Sequence, residues 1–281
     1  MPFANLEDIS LYYEEVDCEE DGRESAGAAD HREPLLLIAG QSSDHRSWNG
    51  VRDDFARDYR VIVYDHRGTG QSDKPTAPPY STRGFARDAV GLLDHLGIAR
   101  AHAYGISMGG RICQWLGLDY PDRVGGLVLG CTTPGNAHGV ARDPEISARM
   151  ADPMLSAAER IDLSLPLMVS PGWSVAHPEY RARLLAEQAT SPMPDYARRL
   201  HFDASEGHDS WEGLPAIKAP TLVIHGTEDY QNPTANAQLL VNRIPGAELC
   251  LVPGGRHLYF IEKREEASRA VLDFLSRHPL G

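Results

Sequence analysis

Short, mostly apolar runs recur along this chain and carry its first structural information. The earliest, Leu35-Leu36-Leu37-Ile38-Ala39-Gly40, is unbroken and closes on glycine. A strand covered on both faces needs such a run, because a half-solvated strand would alternate apolar and polar side chains. The signature returns at Val61-Ile62-Val63-Tyr64, Ala101-His102-Ala103-Tyr104, Gly126-Leu127-Val128-Leu129, Thr221-Leu222-Val223-Ile224 and Glu248-Leu249-Cys250-Leu251-Val252. Between several of these runs the apolar side chains come back every three to four residues: Phe85, Val90, Leu92, Leu93 and Leu96, then Ile112, Trp115, Leu116 and Leu118. That spacing predicts amphipathic helices. Strands alternating with helices predict an α/β fold with a mostly parallel sheet. Residues 6–16 alternate enough to predict an opening strand, and the acidic, Gly- and Ala-rich residues 17–33 predict an exposed hairpin loop.

One interval breaks the rhythm. About 90 residues lie between Cys131 and Thr221, where one crossover takes roughly a dozen or more. Residues 135–215 are therefore expected to form an inserted helical cap, with the core in residues 1–134 and 216–281. The interval holds repeated proline breaks, Trp173, Trp211 and four of the six methionines. Met168, Trp173 and Tyr180 are candidates for an apolar pocket lining, since methionine adapts to irregular shapes. The competing reading is two ordinary core helices joined by loops, with these side chains as plain core.

Charge narrows the partners. A formal net charge of -13 opposes binding to nucleic acid or to an anionic membrane and leaves a small molecule as the expected ligand. No window is long enough to span a bilayer and the start lacks a basic-then-apolar stretch, so a cytoplasmic location is expected; a homo-oligomer stays open. Cys18, Cys113, Cys131 and Cys250 are too scattered for a zinc site or a disulfide framework. Cys131 lies near the site described next, but nothing pairs it with a histidine. Twelve histidines include no His-x-x-x-His pair, and His201 and His208 lack a third ligand, so no metal is assigned. Gly68-Thr69-Gly70-Gln71-Ser72 is followed by Pro75, Pro78 and Pro79 where a phosphate-cradling loop needs a helix, so no nucleotide and no other cofactor is assigned.

The chemistry gathers at Gly105-Ile106-Ser107-Met108-Gly109-Gly110, between a predicted strand and a predicted helix. A serine at such a turn is a nucleophile elbow. Gly105 and Gly109 let strand and helix approach, and the helix start aims its free N–H groups at the place where an oxyanion would form, Met108 N–H first. A serine hydroxyl attacks only when a base takes its proton, and the base needs an orienting acid, in the order Ser, acid, His. His257, in the turn-rich segment after the last strand, is a better base than His278, three residues from the end. Asp229, just past a strand and ahead of Pro233, is the favoured acid, with Glu228 as the alternative. The other usual place for the acid holds Cys131-Thr132-Thr133 and no carboxylate.

Four segments together give a family resemblance: Ala39 to Ser43, Tyr64-Asp65-His66-Arg67-Gly68-Thr69-Gly70-Gln71-Ser72-Asp73, Gly105 to Gly110, and the loops of Asp229 and His257. On these the chain resembles the α/β-hydrolase family over nearly its whole length. The resemblance implies a mostly parallel central sheet flanked by helices, a helical cap, a structural turn at Asp65 to Asp73, and the backbone N–H of Gln41 as second oxyanion donor. Many members carry His-Gly ahead of that position, whereas this chain has Ala39-Gly40, which puts the packing of the loop in question.

The expected function is cleavage of a carboxylic ester or lactone through an acyl-enzyme. The segments are similar to those of enol-lactonases, small-molecule carboxylesterases, aminoacrylate-type hydrolases and cofactor-free haloperoxidases, and carbon–carbon bond hydrolysis uses the same triad. An enol-lactone carries a carboxylate and predicts an arginine facing the pocket, with Arg149, Arg160 and Arg198 as candidates. Serine in place of aspartate at the elbow argues against dehalogenase and epoxide-hydrolase chemistry. A hypothesis of another class is a non-catalytic receptor that binds a small molecule on this fold.

Overall fold

The computed structural model describes residues 2–16, 31–77, 80–150, 154–190 and 193–281. Most of the expected loop at 17–33, and Cys18, lie outside the described residues. The described strands are β1 (Phe3–Asn5), β2 (Ser10–Val16), β3 (Glu33–Ile38), β4 (Tyr59–Tyr64), β5 (Ala101–Ile106), β6 (Val124–Gly130), β7 (Thr221–Gly226) and β8 (Glu248–Val252). They form one sheet in the order β1-β2-β4-β3-β5-β6-β7-β8. The contacts of β2 with β1 and β4 are antiparallel, and every later pairing is parallel.

The opening differs from the single strand expected at residues 6–16. The chain reverses between β1 and β2, closed by Leu6 N–H donating to Ile9 O at 2.8 Å, so that Phe3 pairs with Tyr12. A period of two continues on both sides of a tight turn, and the alternation therefore hides the reversal.

Side chains of the central strands divide between two cores. Leu36, Ile38, Ile62 and Tyr64 face one; Leu35, Leu37, Val61 and Val63 face the other. Helices α1 (Arg52–Ala56), α2 (Thr82–His95) and α3 (Met108–Asp119) come before the β6–β7 interval. Within it lie α4 (Pro144–Met150), α5 (Ala157–Met168), α6 (Pro171–Ala176), α7 (Pro178–Thr190) and α8 (Asp195–Glu206). After it come α9 (Ala235–Arg243), α10 (Tyr259–Glu262) and α11 (Arg264–Ser276). Phe85 and Leu92 of α2, Ile112 and Leu116 of α3 and Leu240 of α9 cover the first core; Phe55 of α1 and Val271 and Phe274 of α11 cover the second. Each such fully buried side chain contributes about 1.5–3 kcal/mol. No described helix is long and apolar enough to cross a membrane.

The helices between β6 and β7 are not uniform. Helix α5 starts on a capping box in which the Ser156 hydroxyl accepts from Glu159 N–H and the Glu159 carboxylate accepts from Ser156 N–H. Leu165, Val169 and Tyr180 make a small apolar cluster of their own, against which Trp173, Leu184, Leu258 and Ile261 pack. Helix α8 instead buries Ala197, His201, Ala204 and Ser205, and Ala204 belongs to the first core of the sheet. Because β3 lies between β4 and β5, successive connections leave it on opposite sides, and in open α/β sheets such a reversal is where ligands meet the carboxyl ends of the strands.

Candidate active site

Ser107 stands between β5 and α3 with φ 53° and ψ −116°. That backbone is costly for a non-glycine residue, of order 1–3 kcal/mol, and persists only where its surroundings impose it. Here Ser107 N–H donates to Gly130 O at 2.8 Å and Ser107 O accepts from Thr132 Oγ1 at 2.7 Å, which fastens the turn to β6 and its extension. A Cβ on Gly109 would stand 2.2 Å from Ile38 O, so only glycine lets α3 start this close to β3. The loop after β3 lies against Ser107: a Cβ at Gly40 would be 3.5 Å from Ser107 Cβ. Gln41 follows at once, and Met108 N–H opens α3, among the helix-start donors without an intrahelical carbonyl.

Asp229 and His257, the candidate acid and base, come from the ends of β7 and β8. Thr227 N–H donates to Val252 O at 3.1 Å and Glu228 N–H to Gly255 O at 2.9 Å, holding the two loops side by side. A Cβ on Gly226 would stand 2.2 Å from Gly255 O, so this approach also requires glycine. His257 Nδ1 lies 2.9 Å from Asp229 Oδ2. Since the carboxylate accepts, Nδ1 carries the proton and Nε2 keeps a lone pair, the tautomer a general base requires.

Asp229 is fully buried, and its other oxygen accepts from Gln231 N–H at 2.9 Å and Asn232 N–H at 2.8 Å. Burial alone would raise its pKa, but the charges and hydrogen bonds of His257 and His225 outweigh it and hold the carboxyl well below the usual range. His225 Nε2 is 3.0 Å from Asp229 Oδ2 and 2.8 Å from Asn232 O. Glu228 is exposed, with its carboxylate 4.0 Å from the Arg256 guanidinium. The geometry thus joins His257 to Asp229 rather than to Glu228. No hydrogen bond joins His257 to Ser107 among the described residues; such bonds tighten when substrate occupies the site.

Cys131, next to the turn with φ 40°, is buried, and burial together with the Asp229 charge pushes its thiol far up, so it stays protonated and unreactive. Met168 meets the site's neighbourhood through its backbone, its carbonyl accepting Leu258 N–H at 2.8 Å beside His257. Trp173 stacks on His177 with centroids 4.1 Å apart and meets Tyr180 edge-on at 5.2 Å, within the apolar cluster of the insertion. Arg149 is exposed, while half-buried Arg198 donates to Met193 O at 3.2 Å.

Three histidines escaped the sequence reading of the site: His225 beside the acid, and His66 and His201 beside the oxyanion loop. His225 ends a buried strand and His201 sits on a helix face, and no local spacing marks either. Asp44, His45 and Asp65 bring ligand atoms within 4.8 Å of one another. The His45 nitrogens are already engaged, Nδ1 at 2.6 Å from Asp65 and Nε2 at 3.2 Å from Glu14, so the group is a buried ion pair at the foot of the turn.

A family profile described as alpha/beta hydrolase fold matches residues 33–264. The chain belongs to the α/β-hydrolase family. Within this family it is 32% identical over 261 residues to RutD of Caulobacter sp. (strain K31), provisionally named a carbamate hydrolase, with 89% of this chain and 93% of that protein covered. The crystal structure of the enol-lactonase from Burkholderia xenovorans LB400 superposes with a TM-score of 0.81 at 26% identity, covering 98% of this chain and all (100%) of that one. Est816, described as an N-acyl homoserine lactone degrading enzyme, gives a TM-score of 0.79 at 30% identity, covering 97% and 100%. As an α/β-hydrolase family member with these relatives, the chain is a hydrolase.

Proposed function

We propose that this hydrolase cleaves a carboxylic ester or lactone of a small organic molecule, with Ser107 as nucleophile, His257 as base and Asp229 as orienting acid. The observation that carries the reading is the Asp229–His257 hydrogen bond of 2.9 Å, made at the same sheet edge as the strained Ser107 turn. In the reaction His257 Nε2 takes the Ser107 proton as Oγ bonds to the acyl carbon, and the carbonyl π electrons move to oxygen. Met108 N–H and Gln41 N–H hold that oxyanion. Its collapse expels the alkoxide, which leaves with the proton from His257; in a lactone it stays tethered to the acyl group. Water, deprotonated by His257, then attacks the acyl-enzyme and returns Ser107. The ionised Asp229 stabilises the imidazolium at both stages. Residues 135–215 act as the cap, the net charge of -13 disfavours polyanionic partners and leaves small molecules as substrates, and the location is the cytoplasm.

Ser107→Ala is expected to lower turnover of an aryl ester by at least 1,000-fold, roughly the range of triad-residue losses, and to abolish labelling by a fluorophosphonate. Retained hydrolysis or labelling would refute the assignment. The identity to RutD favours a second reading, a carbamate in place of the ester, with the same nucleophile and oxyanion donors. Comparing kcat/KM for a matched ester, lactone and carbamate separates the two.

A further inference from the structure

We propose that His201, on α8 and outside the triad, is a positioning residue that sets the oxyanion loop. The inference rests on the acyl-transfer reading above. The His201 ring is completely buried and, by burial and by the neighbouring His66, its pKa is pushed down to about 3, so it is neutral at working pH. Its partners leave one tautomer. Ser42 N–H only donates, and Nδ1 accepts it at 3.3 Å; Arg67 O only accepts, and Nε2–H donates to it at 2.7 Å.

The consequence lies in which peptide groups are held. Gln41 N–H belongs to the peptide between residues 40 and 41. The peptide before it is held through Ala39 O, which accepts from His66 Nε2 at 3.0 Å; the ring of His66 is likewise buried and neutral, its pKa lowered to about 4. The peptide after it is held through Ser42 N–H by His201. Gly40 O itself accepts Ser43 N–H at 3.2 Å. Ser42 stands at φ 59°, a conformation a serine does not keep without such restraint. Two neutral imidazoles thus clasp the donor peptide from either side.

His201 comes from the inserted segment, so seating α8 and aiming the oxyanion donor are one event. A ring that served only as packing, against Phe85 at 5.0 Å and Tyr80 at 5.7 Å, would need neither nitrogen.

The test compares His201→Leu, which removes both nitrogens, with His201→Asn, whose side-chain oxygen reaches the Nδ1 position and still accepts Ser42 N–H. Each is assayed on an aryl ester and for binding of an aryl boronic acid, which forms a tetrahedral adduct with the serine. His201→Leu is expected to lower kcat about 10- to 100-fold, the range for a misaimed oxyanion donor, with KM within about twofold, and to weaken the boronate by the same factor. His201→Asn is expected to keep kcat within about fivefold. Melting curves run alongside, and if His201→Leu does not fold, His201→Gln, which keeps the reach to Arg67 O but withdraws the acceptor from Ser42, replaces it with the same expected loss. Wild-type kcat in His201→Leu or His201→Gln, or equal losses in the Leu (or Gln) and Asn variants, overturns the proposal. Should Ser107→Ala retain full activity, the underlying reading falls instead, a result distinct from an inert His201 beside a dead Ser107→Ala.

Discussion

Helix α8 and the group α5–α7 come from the same interval between β6 and β7, yet different forces fasten them to the sheet. Helix α8 is held by buried polar bonds: His201 to Arg67 O and Ser42 N–H, and Ser205 O and Oγ accepting from the Arg111 guanidinium of α3, Oγ at 2.9 Å. Among the described residues Arg111 makes no ion pair, and the Glu206 charge acts on it only from a distance. It lies at the carbonyl end of α8, where the helix dipole is negative, and burial lowers its pKa to about 10. The α5–α7 group rests instead on its own apolar cluster and meets the core at Leu258 and Ile261, with Leu258 N–H on Met168 O and Ser170 N–H on the Glu262 carboxylate at 2.9 Å. One part therefore grips the loop of Gln41 and Ser42 and the other the loop of His257 and Leu258. A buried polar bond fails outright when its partner moves, whereas an apolar contact yields by degrees.

The largest expected effect tests whether the sheet edge, rather than either inserted part, sets the chemistry. Asp229→Asn leaves His257 in the wrong tautomer and is expected to cut kcat about 1,000- to 10,000-fold. A loss smaller than that from substitutions in α8 or α5–α7 would move the centre of the mechanism into the insertion. Next in size is a difference in opening. Amide hydrogen exchange in α5–α7 is expected to run at least about tenfold faster than in α8, because α8 opens only with the core while α5–α7 separates along Leu258 and Ile261. Equal protection would merge the two parts into one unit.

The smallest effect concerns acid. The pKa of His201 is about 3 in the folded chain against an ordinary value of 6.5. Between these values the unfolded chain binds a proton that the folded one refuses, so folding stability falls as pH drops from 6.5 toward 3. Replacing His201 by asparagine is expected to flatten the stability profile there by up to about 1.4 kcal/mol per pH unit. Denaturant titrations at pH 6 and pH 4.5 measure it, and an unchanged slope would mean that the ring is not held neutral.

Much of this was legible in the chain. The α/β-hydrolase fold was read from the apolar runs and motifs, and β8 has the bounds its run predicts. The candidates Ser107, Asp229 and His257 followed from one turn and two loops. The hairpin at β1–β2 was missed because alternation survives a tight reversal, and the sequence left the cap and core readings of residues 135–215 both open because α5 and α8 both carry apolar residues at helical spacing.

By itself the sequence determined what depends on near neighbours: strands from continuous apolar runs, the tight turn at Ser107 from Gly-x-Ser-x-Gly, and the turn-rich loops that carry the candidates Asp229 and His257. Only the tertiary structure decided which distant polar atoms face each other. His201 meets Ser42 across 159 residues, and His257 meets Asp229 across 28 because β7 and β8 close against each other at Gly226 and Gly255. Local pattern records whether a side chain is buried, since burial follows from hydrophobicity. It does not record what a buried nitrogen meets, because that partner arrives only when the sheet and the inserted helices have packed.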